Sequence, residues 1–282
     1  MRLAVIQGRL ALITERGAID VATASEFPSD PQAVYDQWER FRAWYAANPD
    51  TLRTAEAAPC RADELDAPVP APRQVFGIGM NYRAHAAEAG LSVPESDPVV
   101  FAKYVSSVAG PGAVVTLPSE AVDYEAELVV VMGKRAHRVS RDEAWNHVAG
   151  LTIGQDLSER LVQFRGQTPQ FSLGKSFPGF SPTGPVLVTP DEFDDPDNIE
   201  IGCTLNGQQM QKGRTSDLIF TVPRLIESLS AIVALLPGDL IFTGTPAGIG
   251  WARDPKVVLR PGDRLVTHAE VIGELTTTFT AG

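Results

Sequence analysis

The feature that most limits the fold of this chain is a succession of short apolar segments that begins near residue 70. Glycine and proline separate them closely, and each suits a β-strand better than a buried helix. We predict strands at 75–78, 99–103, 114–117, 128–132, 186–189, 199–205, 240–243, 257–259 and 264–271. We predict helices at 82–89, 141–147, 157–165 and 222–235. Many short strands with few helices indicate an α+β core, not a series of βαβ units.

The first 70 residues differ from the rest and predict a small N-terminal α/β domain. Two short apolar segments on either side of Gly8 predict a hairpin, and a helix is predicted over 31–47. Aromatic side chains that are typical of core packing recur along this helix at helical spacing: Trp38, Phe41, Trp44 and Tyr45. The proline-rich run at 67–72 is a stiff connector. We therefore place the domains at 1–70 and 71–282.

Composition excludes several classes of protein. The net charge of −11 disfavours binding to nucleic acid, because an acidic chain is repelled by phosphate. Two distant cysteines, Cys60 and Cys203, indicate neither a disulfide framework nor a zinc site, and they favour a reducing, cytoplasmic setting. We expect no membrane association, because no apolar run approaches the length of a membrane span and polar residues interrupt the start of the chain.

Two glutamates enter one of the predicted strands. Glu125 and Glu127 are two residues apart, so on a strand their side chains point to the same face. The pair alone fits a solvated strand face as well as a metal site, since like charges this close need screening by water or a cation. The continuous apolar run at 128–132 indicates a strand buried on both faces. Carboxylates that enter a buried strand require a partner.

Asp156 supplies a third carboxylate, in the segment 150–158, which we interpret as the end of a further strand followed by the start of the helix predicted at 157–165. The alternative is that it serves only as the N-cap of that helix. Three carboxylates without a histidine suit a hard divalent cation. We therefore expect Glu125, Glu127 and Asp156 to bind Mg²⁺, with Mn²⁺ as the alternative.

His85 and Glu88 are predicted to lie on one face of a short helix, because they are three residues apart. A carboxylate beside an imidazole raises its basicity and fixes its tautomer, which is the arrangement of a general base for water. The alternative is an exposed ion pair, which is a common and weak arrangement at this spacing. A glycine-rich turn at 77–80 precedes the helix and suggests a mobile lid.

Two further segments carry groups suited to a negatively charged substrate. Lys175 would stabilise the charge that develops on an enolate. The glycine-rich loop around Thr245 would hold a substrate carboxylate through backbone N–H groups and the threonine hydroxyl. Considered alone, each segment also has a plainer interpretation: an exposed lysine and a structural turn.

Together these segments resemble the fumarylacetoacetate hydrolase superfamily in its bacterial two-domain form. The resemblance runs from about residue 73 to the C-terminus and depends on the joint order and spacing of the motifs. They are Asn81-Tyr82 through Glu88, Asp123-Tyr124-Glu125-Ala126-Glu127, Gln155-Asp156-Leu157-Ser158, Gly174-Lys175-Ser176-Phe177 through Gly184-Pro185, Leu205-Asn206-Gly207, Leu236-Pro237-Gly238-Asp239 and Thr243-Gly244-Thr245-Pro246-Ala247-Gly248.

The resemblance implies a mixed β-roll and a homodimer. It places the metal ligands at Glu125, Glu127 and Asp156. It places the catalytic residues at His85, Glu88 and Lys175, and the substrate-binding residues at Tyr82, Arg160 and Thr245. One motif departs from the family: many relatives have Ser-Ala-Arg-Asp where this chain has Ser158-Glu159-Arg160-Leu161. The role of that acidic residue therefore has no counterpart here.

The predicted activity follows from this site. We expect a metal-dependent hydrolase that cleaves a C–C bond in a small 2-oxo acid or 1,3-diketone, such as an acylpyruvate or fumarylpyruvate, through a metal-stabilised enolate. The same site would serve a decarboxylase, an isomerase or a hydratase. The alternative from another class is a non-catalytic member of the family that binds a metal or ligand.

Three other enzyme classes are disfavoured by incomplete motifs. Tyr82 occupies the place of the third glycine in a dinucleotide-binding fingerprint. Pro169 occupies the place of the first glycine in a phosphate-binding loop before Gly174-Lys175. Thr183 replaces the last glycine of a serine-hydrolase nucleophile motif.

Overall fold

The fold is built around two β-sheets in a computed structural model that describes residues 1–88 and 96–282. The strands in chain order are β1 (Arg2–Ile6), β2 (Arg9–Thr14), β3 (Gly17–Asp20), β4 (Leu65–Asp66), β5 (Val75–Gly79), β6 (Val99–Ala102), β7 (Val108–Ala109), β8 (Val114–Leu117), β9 (Val122–Asp123), β10 (Ala126–Met132), β11 (Val148–Gln155), β12 (Ser158–Glu159), β13 (Ser181–Val188), β14 (Glu200–Leu205), β15 (Gln208–Arg214), β16 (Leu240–Phe242), β17 (Arg264–Ala269) and β18 (Gly273–Ala281).

Helices are short and lie between these strands. They are α1 (Val21–Ala24), α2 (Pro31–Tyr35), α3 (Trp38–Ala47), α4 (Pro49–Thr54), α5 (Arg83–Glu88), α6 (Arg160–Gln163), α7 (Phe171–Gly174) and α8 (Val222–Ile232). Segments of 3₁₀ helix cover Ala62–Glu64, Val105–Ser107, Arg141–His147, Pro190–Glu192, Thr215–Asp217 and Gly250–Ala252. No helix within the described ranges is long and apolar enough to cross a lipid bilayer.

The two sheets have mixed strand directions. The large sheet has the order β3-β2-β1-β13-β11-β10-β16-β5-β6, with β4 paired to β1 and β7 paired to β13. The smaller sheet has the order β15-β14-β17-β18-β8. Most pairs are antiparallel, but β5 with β16, β7 with β13 and β8 with β18 are parallel. The predicted α+β class with a mixed β-rich core is confirmed.

Strand β10 lies at the centre of the large sheet and is buried on both faces. Leu128, Val130 and Met132 pack into the core that the two sheets and α8 share. Val129 and Val131 alternate with them and pack on the opposite face against the N-terminal helices. The prediction of a doubly buried strand at 128–132 is therefore confirmed, and the glutamates enter the interior of the protein.

The N-terminal segment joins the large sheet. The predicted hairpin forms from β1 and β2, and β1 pairs with β13 through Leu3 and Leu187. The helix predicted over 31–47 is instead two helices, α2 and α3, because Gln37 has φ −123° and ψ 24°, outside the helical region. The break allows the rings of Tyr35 and Trp38 to stack at 5.7 Å. The proposed domain boundary at residue 70 stays a prediction.

The aromatic side chains of α3 contribute to the core to different degrees. Trp38 and Phe41 are buried, whereas Trp44 and Tyr45 are partly buried and pack against the same cluster.

Several boundaries differ from the sequence-based predictions. The predicted helix at 157–165 is only α6, because Ser158 pairs with Asp123 and extends the chain as β12. The segment 257–259 forms no strand. The N–H of Val257 donates to the carbonyl oxygen of Gly250 and that of Leu259 to the carbonyl oxygen of Val122, without a continuous strand ladder. Arg141–His147 is a 3₁₀ segment, not an α-helix. Strands β15 and β18 were not predicted, because their polar and threonine-rich sequences lack an apolar run.

Candidate metal centre and catalytic cavity

Three carboxylates converge at the start of β10. Glu125, Glu127 and Asp156 each offer an oxygen atom to a cluster in which these atoms all lie within 4.8 Å of one another. All three side chains are buried, and Asp156 is completely inaccessible. The structure thus brings together the three residues that the sequence proposes as metal ligands.

The antiparallel pairing of β10 with β11 produces this convergence. Glu127 lies opposite Gly154 in the register. One step further, the N–H of Asp156 donates to the carbonyl oxygen of Glu125 at 2.9 Å. The first residue after β11 therefore lies beside the residue that precedes β10. The two-residue spacing then places both glutamates on the same side as Asp156.

The alternative role of Asp156 as an N-cap does not apply. Glu159 caps α6 instead, with its side chain accepting a hydrogen bond from the N–H of Val162.

Lys175 is buried between two of the carboxylates and is not an exposed lysine. Its Nζ donates to Oε2 of Glu125 at 2.7 Å and to Oδ2 of Asp156 at 2.6 Å. Burial alone would lower the pKa of this ammonium, but Asp156 and Glu125 outweigh burial and raise it. Burial alone would likewise raise the pKa of Glu125, but Lys175 and Arg160 lower it to about 2.

A second lysine that the sequence analysis did not select holds the other side of Asp156. Lys103 follows β6 and its side chain is fully buried. Its Nζ donates to Oδ1 of Asp156 at 2.5 Å and also to the carbonyl oxygens of Lys175 and Phe180. Lys103 therefore fixes both the orientation of one proposed metal ligand and the backbone that carries Lys175.

Arg160 connects Glu125 to a fourth buried carboxylate. Its Nη2 donates to Oε1 of Glu125 at 2.7 Å and to Oδ2 of Asp123 at 2.5 Å. Asp123 also accepts hydrogen bonds from the N–H groups of Gly250 at 2.8 Å and Trp251 at 3.1 Å. A Cβ at Gly250 would collide with the carbonyl oxygen of Val257, so only glycine allows this close approach.

The charges of this cluster fit a divalent cation. Glu127 is 1% exposed and accepts a hydrogen bond from the N–H of Gly244 at 2.8 Å. No cationic side chain of the described residues lies within salt-bridge distance of it. Burial, with Asp156 and Glu125 nearby, raises the pKa of Glu127 well above its ordinary value. A buried carboxylate without a cationic partner, next to two others, is the donor set of a hard metal ion.

His85 and Glu88 form the predicted pair on α5. Nδ1 of His85 lies 3.3 Å from Oε2 of Glu88, and the histidine is 7% exposed. Glu88 also accepts hydrogen bonds from the N–H of Gly248 at 3.0 and 3.1 Å. This pair is therefore not an exposed ion pair, because the imidazole is buried and its carboxylate is held in place by a second loop.

The turn before α5 is anchored at one residue. The side chain of Asn81 donates to the carbonyls of Phe220 at 3.0 Å and Thr243 at 2.7 Å, and it accepts from the N–H of Phe220 at 2.7 Å. Met80, which precedes it, has a φ of 58°. The last residue of the predicted lid helix at 82–89 lies outside the described residues, and lid motion stays a prediction.

Two of the three carboxylates, Glu125 and Glu127, line one cavity of about 450 Å³ together with the His85–Glu88 pair, and Asp156 lies behind them, fully buried. Its walls also contain Arg160, Lys175 and Thr245, together with these apolar and neutral residues: Ile78, Gly79, Met80, Phe101, Gln163, Phe164, Phe171, Ile249, Trp251 and Ala252. Such a volume suits a small-molecule substrate.

Two of the proposed substrate-binding residues, Thr245 and Tyr82, are not free to bind a substrate as the structure stands: one has its hydroxyl already hydrogen-bonded, and the other does not line the cavity. The hydroxyl of Thr245 donates to the carbonyl of Ala126 at 2.9 Å and accepts from Gln211 at 2.7 Å, so a substrate carboxylate would compete for its proton. Tyr82 does not line the cavity, and its buried hydroxyl has no hydrogen-bond partner among the described residues. Their substrate-binding roles stay predictions.

Replacing Lys103 with methionine is expected to lower the free energy of unfolding by about 3 kcal/mol, because Asp156 and two carbonyl groups lose a buried partner. Denaturant unfolding, measured without added metal, tests this. The matched control is Lys134→Met, whose exposed partner Glu39 lies 3.0 Å away. The control should change the free energy by less than about 1 kcal/mol. Equal effects in the two variants would contradict the structural role of Lys103.

The geometry defines a buried acidic centre at the base of a largely apolar cavity. The family model for the fumarylacetoacetate (FAA) hydrolase C-terminal domain matches residues 74–280, and the chain belongs to this family. The match leaves out the N-terminal segment and includes every proposed site residue.

Three relatives illustrate the range of this similarity. The human mitochondrial oxaloacetate tautomerase is 43% identical over 209 residues, which cover 73% of this chain and 66% of that protein. A crystal structure from Mycobacterium smegmatis has a TM-score of 0.92 and 50% identity, with all of both chains covered. A maleylpyruvate hydrolase from a Sphingobium species, solved with manganese(II) and pyruvate, has a TM-score of 0.83 and 27% identity, again over all of both chains.

Proposed function

We propose that this chain is a divalent-metal-dependent enzyme that cleaves a C–C bond in a small acylpyruvate by hydrolysis. The observation that carries the proposal is the convergence of Glu125, Glu127 and Asp156 at the wall of the cavity that Glu125, Glu127 and the His85–Glu88 pair line. A metal-type centre and a general base that share one cavity are the two parts that such a hydrolysis requires.

Each group has a role that follows from its contacts. A divalent cation held by the three carboxylates would supply Lewis-acid polarisation of two oxygen atoms of the keto acid. His85 turns Nδ1 to Glu88, so Nε2 is the atom that takes a proton from water. The resulting hydroxide attacks the remote carbonyl carbon, and the C–C bond breaks with its electron pair moving into the pyruvate enolate. Return of the proton from His85 to C3 of the enolate gives pyruvate and the carboxylic acid. Lys175, beside Glu125 and Asp156, stabilises the negative charge that moves onto the pyruvate oxygen.

Removal of divalent ions is expected to abolish this activity. The purified protein should cleave one or more members of a panel of acylpyruvates with Mg²⁺ or Mn²⁺, and a chelator should reduce the rate to background. Adding the ion back in excess of the chelator should restore the rate. Loss of substrate absorbance with time measures each rate. Full turnover in chelator, or no turnover of any panel member, would contradict the proposal.

A second candidate is keto–enol tautomerisation of a 2-oxo diacid. The similarity to the human oxaloacetate tautomerase favours it. Tautomerisation needs proton transfer at carbon but no attacking water, so the two candidates differ in their products. Chromatography of the products after incubation with an acylpyruvate and with oxaloacetate distinguishes cleavage from interconversion.

Three related expectations stay predictions. We propose Mg²⁺ as the ion that supports activity, with Mn²⁺ as the alternative, and the presence of manganese in the Sphingobium structure supports a divalent ion in general. We also propose that the protein is a homodimer. Cys60 and Cys203 are both free thiols, which agrees with the reducing, cytoplasmic setting that we propose.

A further inference from the structure

The part of the cavity beyond the carboxylates is built from apolar side chains. Its walls are formed by Ile78, Phe101, Phe164, Phe171, Ile249 and Trp251. Phe101 and Phe171 meet edge to face with ring centroids 5.5 Å apart. A Cβ at residue 77 would overlap the ring of Phe101, so the absence of a side chain at Gly77 is what makes room for this ring. The aromatic wall is therefore held in place by packing.

The cationic side chains of the cavity are already paired. Arg160 contacts Asp123 and Glu125, and Lys175 contacts Glu125 and Asp156. Both lie at the carboxylate cluster, where the reacting end of the keto acid is proposed to bind, so neither is placed to contact a distant group.

Within residues 1–88 and 96–282, no lysine or arginine side chain lines the apolar part of the cavity. Among the described residues that line the whole cavity, Arg160 and Lys175 are the only lysine and arginine side chains, and both lie at the carboxylate cluster. Residues 89–95 contain no lysine, arginine or histidine. Lys256 stacks on the ring of Trp251 at 3.6 Å, but it is exposed and does not line the cavity. A second substrate carboxylate in this region would therefore be desolvated without a lysine or arginine partner.

We infer that the substrate is a monocarboxylate whose distal acyl group is apolar, such as an aryl or alkyl acylpyruvate, and not a diacid. The inference rests on the proposed function for the reacting end and adds the chemistry of the other end. An apolar group gains favourable burial against the aromatic wall. A carboxylate loses its water there and gains no lysine or arginine partner.

Matched substrates test the inference directly. With Mg²⁺, kcat/KM for benzoylpyruvate should exceed that for fumarylpyruvate by at least about 10-fold, because only the diacid places a charge in the apolar region. Faster cleavage of fumarylpyruvate would overturn the inference and leave the proposed hydrolase activity intact.

A variant at the rim adds the missing charge. Phe164 follows α6 and is 49% exposed, so its substitution should leave the fold intact. Phe164→Arg should raise the ratio of fumarylpyruvate to benzoylpyruvate kcat/KM by at least about 10-fold. The matched control is Leu161→Arg, which adds the same charge on α6 at a position that is 61% exposed and outside the cavity. An unchanged ratio in Phe164→Arg, or an equal change in the control, would overturn the inference.

Binding provides a measurement that does not depend on turnover. Calorimetry of the Mg²⁺-loaded protein should show tighter binding of phenylpyruvate than of oxaloacetate, by at least about 10-fold. If neither acylpyruvate is cleaved but this order holds, the hydrolase proposal fails and the inference on the distal group stands. Equal or tighter binding of oxaloacetate, or no binding of either compound, would overturn the inference.

Discussion

Replacing His85 with alanine is expected to lower kcat for acylpyruvate hydrolysis by about 10²- to 10⁴-fold, the usual contribution of a positioned general base. The imidazole is buried in the cavity wall, and Glu88 holds its Nδ1 at 3.3 Å. Steady-state kinetics with saturating Mg²⁺ measure the loss. Binding of the ion, followed by calorimetry, should not change, because His85 is not among the three proposed ligands.

The control for this variant is another histidine. His137 is exposed and does not line the cavity, so His137→Ala should retain the wild-type kcat. Wild-type hydrolysis by His85→Ala would show that a different group deprotonates the water.

Replacing Glu127 with glutamine is expected to remove activity without reducing the stability of the metal-free protein. The wild-type side chain is a buried carboxylate close to two others, so removal of its charge relieves repulsion and costs no ion pair. Affinity for Mg²⁺ should fall by more than about 100-fold, since even residues that only support a metal ligand contribute 10- to 100-fold. Calorimetry measures the affinity, and denaturant unfolding without metal measures the stability.

Thermal unfolding separates these two effects. Mg²⁺ at 100 times its Kd should stabilise the wild-type protein by about 2.7 kcal/mol and should leave Glu127→Gln unchanged at the same concentration. The matched control is Glu274→Gln on the exposed part of β18, which should respond to Mg²⁺ as the wild type does. A full response to Mg²⁺ in Glu127→Gln would contradict its assignment as a ligand.

The common direction of two of the carboxylates was accessible from the sequence because a local rule determines it, whereas the approach of Asp156 depends on the pairing of β10 with β11. The two-residue spacing of Glu125 and Glu127 fixes their common direction on a strand. The apolar run after them indicates burial, and buried charges need partners. Helical spacing likewise predicted the helix that carries His85 and Glu88, which begins at Arg83 and reaches the last described residue before 89–95.

The roles of the two buried cations Lys103 and Arg160 in supporting the carboxylates could not be predicted from the sequence in this way. Lys103 contacts Asp156 across 53 positions of sequence, and a single lysine at a strand end carries no local signal. Asp123 stands in the recognised motif, but its link to Arg160 spans 37 positions and depends on the pairing of β9 with β12. The polar strand β18 was also missed, since its threonines are typical of a strand but its sequence has no apolar run.

Asp123 and Arg160 link the cavity wall at residues 250–251 to the position of Glu125, a proposed metal ligand. One carboxylate fixes the backbone at Gly250 and Trp251, and the guanidinium that it orients also orients Glu125. A substitution that reshapes the loop at 250–251 to admit another acyl group is therefore expected also to disturb Glu125. This coupling limits which substitutions can change substrate preference without weakening the proposed metal site. A change of substrate then requires either that both features change together or that the cavity is enlarged at Phe164 and Phe171, which line it and are not hydrogen-bond partners of Asp123.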